Sequence, residues 1–262
     1  MQNLKRKILS KLLFWGFDLK TTKQNIRGFH FYKKDFALLK RQKGDDNSFV
    51  FGKKYPILNE RFVASGVMSG HYFHQDLYVA QQIFCNNPLK HIDIGSRTDG
   101  FVAHVATFRA IEIFDIRTQN AKVKNIIFRQ ADLMNLPKDF IQYCDSISAL
   151  HSIEHFGLGR YGDPIDYNGH IKAISNISKI LKPSGRFYFA VPIGWQRIEF
   201  NAHRVFSIQY ILELFKEEFS FEKFSYINDH GDFFENKQLT NADILSNCGC
   251  DYGCGIFEFI KK

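Results

Sequence analysis

No stretch of this chain reaches the roughly 20 consecutive apolar residues that a bilayer-crossing helix requires, so it is not read as membrane-spanning. The N-terminus carries basic residues but neither a long apolar core nor a small-residue cleavage site, and no secretory leader is expected. Cysteine is sparse: Cys85, Cys144, Cys248, Cys250 and Cys254 form an odd, scattered set. Such a set argues against a disulfide framework and for a reducing cytoplasm. Internal repeats and low-complexity tracts are also missing. With 45% hydrophobic and 24% charged residues, a wholly disordered chain is excluded.

What remains is a chain of 262 residues, the size of one large domain or of one domain with an elaborated end. Aromatic residues make up 16%, and the 28 Phe are expected mostly in the core, because so much exposed Phe would aggregate. Lys and Arg number 35 against 27 Asp and Glu, a net +8 that favours anionic partners without choosing among them. The basic, amphipathic run from Leu4 to Trp15 fits a helix on an anionic membrane surface at the inner face. It fits equally a helix docked on the core with a solvated basic face, which is the more ordinary use of that texture.

Texture divides the rest. Residues 1–87 are basic and irregular, an N-terminal helical extension, and 88–262 form the main domain. Short β-like runs alternate there with helical patterns: His91–Ile94, a helix over Asp99–Phe108, then Ala110–Phe114, Asn125–Phe128 and Ser146–Leu150. Ile171, Ile174, Ile177, Ile180 and Leu181 recur at helical spacing until Lys182-Pro183-Ser184-Gly185 stops them. Arg186–Val191 is a fifth strand, Ile208–Phe219 a helix, and Phe221–Ile227 and Gly255–Ile260 two further strands. Strands joined by helical crossovers predict an α/β fold, doubly wound around a mostly parallel sheet.

Ligands of such folds sit at the carboxyl ends of the strands, where a glycine turn lets backbone N–H groups and a helix N-terminus approach. Asp93 ends the first strand, and Gly95 and Gly100 suit that turn. The pattern G-x-G-x-x-G is absent because Arg97 takes the middle glycine position, which disfavours a pyrophosphate cradle. Asp115 closes the second strand and could accept hydrogen bonds from both hydroxyls of a ribose. After the third strand, Asp132 could accept an adenine amine and Leu133 offer its N–H, or Asp132 could simply cap the next segment.

This series, ending in Leu-Lys-Pro-Ser-Gly-Arg before another strand, resembles the class I S-adenosylmethionine-dependent methyltransferases. The resemblance implies that Asp93, Gly95, Ser96, Gly100 and, as a departure from glycine, Arg97 surround the methionine part. It assigns Asp115 and Ile116 to the ribose and Asp132 and Leu133 to adenine. A closer likeness, over Leu150–Asp166, Val191–Gly194 and Phe200–Phe206, is to uncharacterised bacterial methyltransferase-like proteins, some encoded with surface-polysaccharide genes.

His151, Glu154 and His155 follow the fourth strand, where an acceptor would meet the methyl group. They also resemble the Glu-x-x-Glu-His stretch of ubiquinone-pathway O-methyltransferases, in which acid and histidine are linked to a divalent ion. His151 in place of the first Glu weakens Mg²⁺, and two His with one Glu would suit zinc or iron. A hydrogen-bonded pair that orders the loop is preferred to a metal here, and His151 is placed with the cofactor residues. The loop Gly157–Asp166, with Arg160, Tyr161 and Asp163, is read as a lid or hydroxyl-binding loop. Asn201 and Arg204 are candidate contacts for sugar hydroxyls and for a phosphate or carboxylate. His203 is the candidate general base, His155 its rival, with Glu154 beside them. Cys248, Cys250 and Cys254 do not match a paired zinc motif and are expected as free thiols.

The resulting expectation is S-adenosylmethionine-dependent methyl transfer to oxygen on a small, anionic, hydroxyl-bearing acceptor such as a sugar, sugar nucleotide or glycan intermediate. No nucleic-acid motif is found, and nucleic acid is not expected as a partner. The alternative is a non-catalytic, membrane-peripheral scaffold of the same fold.

Overall fold

The computed structural model describes residue 9 and residues 11–135 and 138–262. Half of the expected Leu4–Trp15 helix, residues 4–8 and 10, therefore lies outside the described residues. Among those described, no helix is long and apolar enough to cross a membrane.

The chain forms two compact units, 1–67 and 68–262. In the first, helix α1 (Leu19–Lys43) starts at Asp18, whose side chain accepts from the backbone N–H groups of Lys20 and Thr21. Lys40, Arg41 and Lys43 crowd its last turn, where cations oppose the helix dipole favourably. Gly28 is buried on that helix because the Leu58 carbonyl crosses over it, leaving no room for a Cβ.

The second unit begins 20 residues before the expected boundary at 87/88 (88 − 68). The reason is helix α2 (His71–Asn86): Tyr78, Val79, Ala80 and Ile83 bury one face of it in the core of this unit. The sheet that follows comprises β1 (His91–Ile94), β2 (Ile111–Asp115), β3 (Ile126–Gln130), β4 (Cys144–Leu150), β5 (Leu181–Ile193), β8 (Phe219–Ile227), β9 (Phe233–Phe234) and β10 (Gly253–Lys261). Between them lie helices α3 (Ala103–Ala106), α4 (Gly169–Ile180), α5 (Ile208–Phe215) and α6 (Asn241–Ser246). A separate hairpin pairs β6 (Arg197–Glu199) with β7 (His203–Val205).

The strand order is β3-β2-β1-β4-β5-β10-β8-β9. The first five are parallel, and β10 runs antiparallel to both of its neighbours. β1 is buried along its whole length and β4 along nearly all of it, as expected of parallel strands covered on both faces. The expected doubly wound, mostly parallel architecture is therefore the observed one.

Two apolar layers sandwich the sheet. One face carries Ile147, Ile174, Ile177, Phe187, Phe215 and Phe259; the other carries Tyr78, Val102, Ile113, Leu150 and Ile256. Helix α5 stops at Phe215 rather than Phe219, because Phe219 opens β8, pairs there with β10 and packs its ring on Phe187, Phe215 and Phe259. Each such fully buried ring contributes about 1.5–3 kcal/mol of transfer free energy. Fewer Phe reach the core than expected: Phe14, Phe17, Phe29, Phe49, Phe51 and Phe200 are among those left exposed.

Register aligns the parallel strands so that their carboxyl ends form one rim: Ile94 lies beside Phe114 in β2, and Asp115 beside Gln130 in β3.

Candidate active site

Four strand-end segments meet at that rim. After β1 the chain turns at Gly95, whose φ of +68° favours glycine and whose missing Cβ would stand 3.3 Å from Ser152 Cβ. Asp93 builds the turn from beneath. Its carboxylate accepts from Ser96 N at 2.9 Å, Ser96 Oγ at 2.8 Å and Ser148 Oγ at 2.6 Å. Burial pushes its pKa up to about 6, and the side chain has no exposed surface. Asp93 therefore does not face the crevice as expected; it holds the loop that does. Gly100 is also relocated: its Cα faces the carboxylate of Asp76 on α2, where a Cβ would lie 2.6 Å away.

Arg97, the departure in the glycine turn, does not fill the ligand seat. Its guanidinium is exposed and forks onto Asp99 at 3.0 and 2.7 Å.

The crevice runs between these ends. One lobe is lined by Gly95, Asp115, Ile116, Asp132, Leu133 and His155 among others, the next by Ser96, Arg97, Thr118, Gln119 and Arg160. Gly95, Asp115, Arg117, His151 and Tyr161 border both. Sequence reasoning passed over Arg117. Its backbone N–H, Nε and a terminal nitrogen reach Asp115 at 2.8, 3.0 and 2.5 Å, and its guanidinium carbon stands 4.5 Å from the centre of the Tyr161 ring. The only signal was a cation two residues after the strand-end acid. Asp132 accepts from Met134 N at 2.9 Å, in the manner of an Asx turn, while lining the crevice.

The loop after β4 supplies the crevice wall. His151 adopts a left-handed conformation (φ +49°), rare for a side chain with a Cβ. Its Nδ1 donates to Glu154 Oε1 at 2.8 Å. Burial alone would raise the Glu154 pKa, but His151 and its hydrogen bond prevail and lower it. His155 donates from Nδ1 to the Ala202 carbonyl at 2.6 Å, which leaves Nε2 as the basic nitrogen, 3.7 Å from Glu154 Oε1. Burial lowers the His155 pKa, so its imidazole is neutral at pH 7. The His151–Glu154 contact is the hydrogen-bonded pair preferred from sequence.

His203 lies further back. Its ring centre is 6.5 Å from that of His155 and 5.1 Å from that of Tyr252, and it does not line either lobe. Its Nε2 lies 3.0 Å from Glu199 Oε2, off the line that a hydrogen bond requires.

The substrate candidates Arg204, Asp163 and Asn201 are placed differently. Arg204 is buried and donates to the carbonyls of Phe156 at 2.6 Å, Tyr167 at 3.1 Å, Glu154 at 3.4 Å and Asp166 at 3.5 Å, so no free fork is left for a phosphate. Asp163 borders the first lobe and accepts from the N–H groups of Gly157, Gly159 and Tyr161, which shapes the loop. Asn201 is exposed in the turn between β6 and β7, outside both lobes. Arg160 and Tyr161 do border the crevice. Cys250 and Cys254 are buried free thiols, and Cys248 is half-buried.

Among solved structures, the chain is similar to the [4+2]-cyclase SpnF, with 16% identity over 72% of this chain and 80% of that one and a TM-score of 0.51. It is also similar to a chain from the complex of the Haloferax volcanii Trm112 methyltransferase activator with a protein taken to be a methyltransferase: 15% identity, 72% and 89% coverage, TM-score 0.50. A third, the 1,6-didemethyltoxoflavin-N1-methyltransferase of Burkholderia thailandensis bound to S-adenosylhomocysteine, aligns at 11% identity, 72% and 78% coverage and a TM-score of 0.49. The fold is thus the Rossmann-like one of the class I methyltransferases. No curated protein matches the sequence. A family profile matches residues 101–244, more than half of the chain, and its description is of Caenorhabditis proteins rather than of the bacterial ones expected. The chain belongs to that family, DUF268, described as "Caenorhabditis protein of unknown function".

Proposed function

We propose that this protein transfers a methyl group from S-adenosylmethionine to a small, anionic, hydroxyl-bearing acceptor. Fold alone does not fix the reaction, as the cyclase SpnF illustrates. The observation that carries the reading is the convergence of Gly95, Asp115 and Asp132–Leu133 on one crevice at the strand ends. Gly95 allows close backbone approach, Asp115 offers two acceptor oxygens to a ribose diol, and Asp132 with Leu133 borders the space for a base. S-adenosylmethionine, when bound, supplies an electrophilic methyl carbon on sulfur.

In this reading the acceptor oxygen forms its bond to carbon as the carbon–sulfur bond breaks, and its proton passes to His155 Nε2. Neutral at pH 7 and fixed as the Nδ1–H tautomer by the Ala202 carbonyl, His155 suits that task. Glu154, at 3.7 Å, stabilises the imidazolium that forms. His203 is the weaker candidate because it borders neither lobe, its ring centre lying 6.5 Å from that of His155, which does. Arg97, Arg117 and Arg160 around the second lobe favour an anionic acceptor, and a sugar phosphate or glycan intermediate fits them.

One observation favours a non-catalytic scaffold instead: Arg117 already occupies both oxygens of Asp115. A labelled-methyl assay against fractionated small-molecule extract separates the readings. His155→Ala should lower transfer by about 10²–10⁴-fold with cofactor affinity unchanged, and His203→Ala should leave it near wild type. Full activity in His155→Ala would overturn the assignment.

A further inference from the structure

We propose that His71, His151 and Cys254 form a zinc site behind the crevice wall. They come from the start of α2, the loop after β4 and the start of β10, so no local spacing announces them. One nitrogen of each imidazole and the Cys254 sulfur lie within 4.8 Å of one another. The two imidazole rings are parallel within 4°, with centres 5.2 Å apart. A tetrahedral zinc ion, at about 2.1 Å from nitrogen and 2.3 Å from sulfur, needs ligand atoms roughly 3.5 Å apart. About an ångström of side-chain movement closes the set.

Three observations point to a cation. First, the His151 side chain is 5% exposed and its Nε2 has no hydrogen-bond partner, although a buried imidazole nitrogen ordinarily has one. Second, Nδ1 of the same ring donates to Glu154, the carboxylate–histidine arrangement that fixes the tautomer of metal-bound histidines and raises their basicity. Third, Glu154 is 1% exposed, its Oε2 is unpartnered, and among the described residues the bases within 4 Å of it are His151 and His155. His151 and its hydrogen bond already favour the charged carboxylate, and a dication beyond His151 would add to that compensation. One thiolate and one carboxylate balance one Zn²⁺. Cys254 is fully buried, and its sulfur faces the His151 ring as well as the Gln75 side-chain oxygen at 3.8 Å and the Gly255 carbonyl at 3.9 Å.

The ligand chemistry selects the ion. Two imidazoles and a thiolate suit zinc, whereas Mg²⁺ and Ca²⁺ require oxygen. Three protein ligands leave a fourth position for water or a ligand atom, which is the form of a reactive rather than a purely structural site. His151 borders both lobes of the crevice, so the ion would stand beside the methyl-transfer site, and its binding is measured without that reaction.

The test uses the full chain stripped of metal and titrated with Co²⁺, a spectroscopic stand-in for zinc. The expected result is saturation at one equivalent, with a thiolate-to-cobalt charge-transfer band that Zn²⁺ abolishes on displacement. Cys254→Ser should remove the band, while Cys85→Ser, at an exposed thiol, should keep it. His71→Ala should weaken Zn²⁺ binding at least tenfold, and Glu154→Gln by about 10–100-fold, as for other partners of metal-bound histidines. The melting temperature of each metal-free variant reports whether it folds, and the comparison is confined to those that do. No band at millimolar Co²⁺, or a band that survives Cys254→Ser, would overturn the site, leaving a buried thiol–imidazole contact only.

Discussion

Arg117 offers the sharpest perturbation of the crevice. Its side chain places Nε 3.0 Å from Asp115 Oδ1 and a terminal nitrogen 2.5 Å from Oδ2, the two oxygens that a ribose diol would need. A nucleoside entering the rim must displace that fork. The Arg117 side chain is 50% exposed and Asp115 10%, so solvent screens the pair, and it contributes at most about 1 kcal/mol. The contact of its guanidinium with the Tyr161 ring adds about 0.5 kcal/mol. Removing about 1–1.5 kcal/mol of competition should tighten binding roughly five- to tenfold. Arg117→Ala should therefore bind S-adenosylhomocysteine more strongly than wild type in a calorimetric titration. The gain should shrink with added salt, as expected of a screened pair. Weaker binding by the variant would refute the reasoning and make Arg117 a ligand contact.

Arg204→Met should lower the unfolding free energy in urea by about 3 kcal/mol, because it leaves the Phe156 and Tyr167 carbonyls without their donors. A loss below about 0.5 kcal/mol together with lost methyl transfer would return Arg204 to the substrate. Acid should destabilise the fold through His91, which is fully buried between Ser146 and Ser148 and whose pKa burial drives down to about 3. Its contribution is complete above pH 6.5. Below that the unfolded chain binds a proton that the folded one refuses until about pH 3, so up to about 5 kcal/mol is lost across the window. His91→Asn should flatten the stability–pH curve by about one proton between pH 6 and 4, and parallel curves would contradict this.

Much of the sheet was legible because each buried strand is a short apolar run closed by a turn residue, as in His91–Ile94 before Gly95. Asp115 was legible for the same reason: a carboxylate ending a buried strand stands at a rim. Direction was not. Asp93 also ends near the rim, yet two serines draw its carboxylate inward, and that depends on Ser148 in another strand. Arg204 looked like an anion fork, but the loop carbonyls that consume it lie up to 50 residues away. Helix α2 read as part of an irregular extension because its apolar face has meaning only against the sheet. His71 and Cys254 meet His151 only through that same packing.

The central claim, that the rim of β1 to β3 holds an S-adenosyl nucleoside, is tested most directly by titrating S-adenosylhomocysteine into the full chain and into Asp115→Ala. The account predicts micromolar, one-to-one binding by the wild type and a loss of at least tenfold in the variant. No heat at millimolar ligand, or equal affinity in the two proteins, would contradict it.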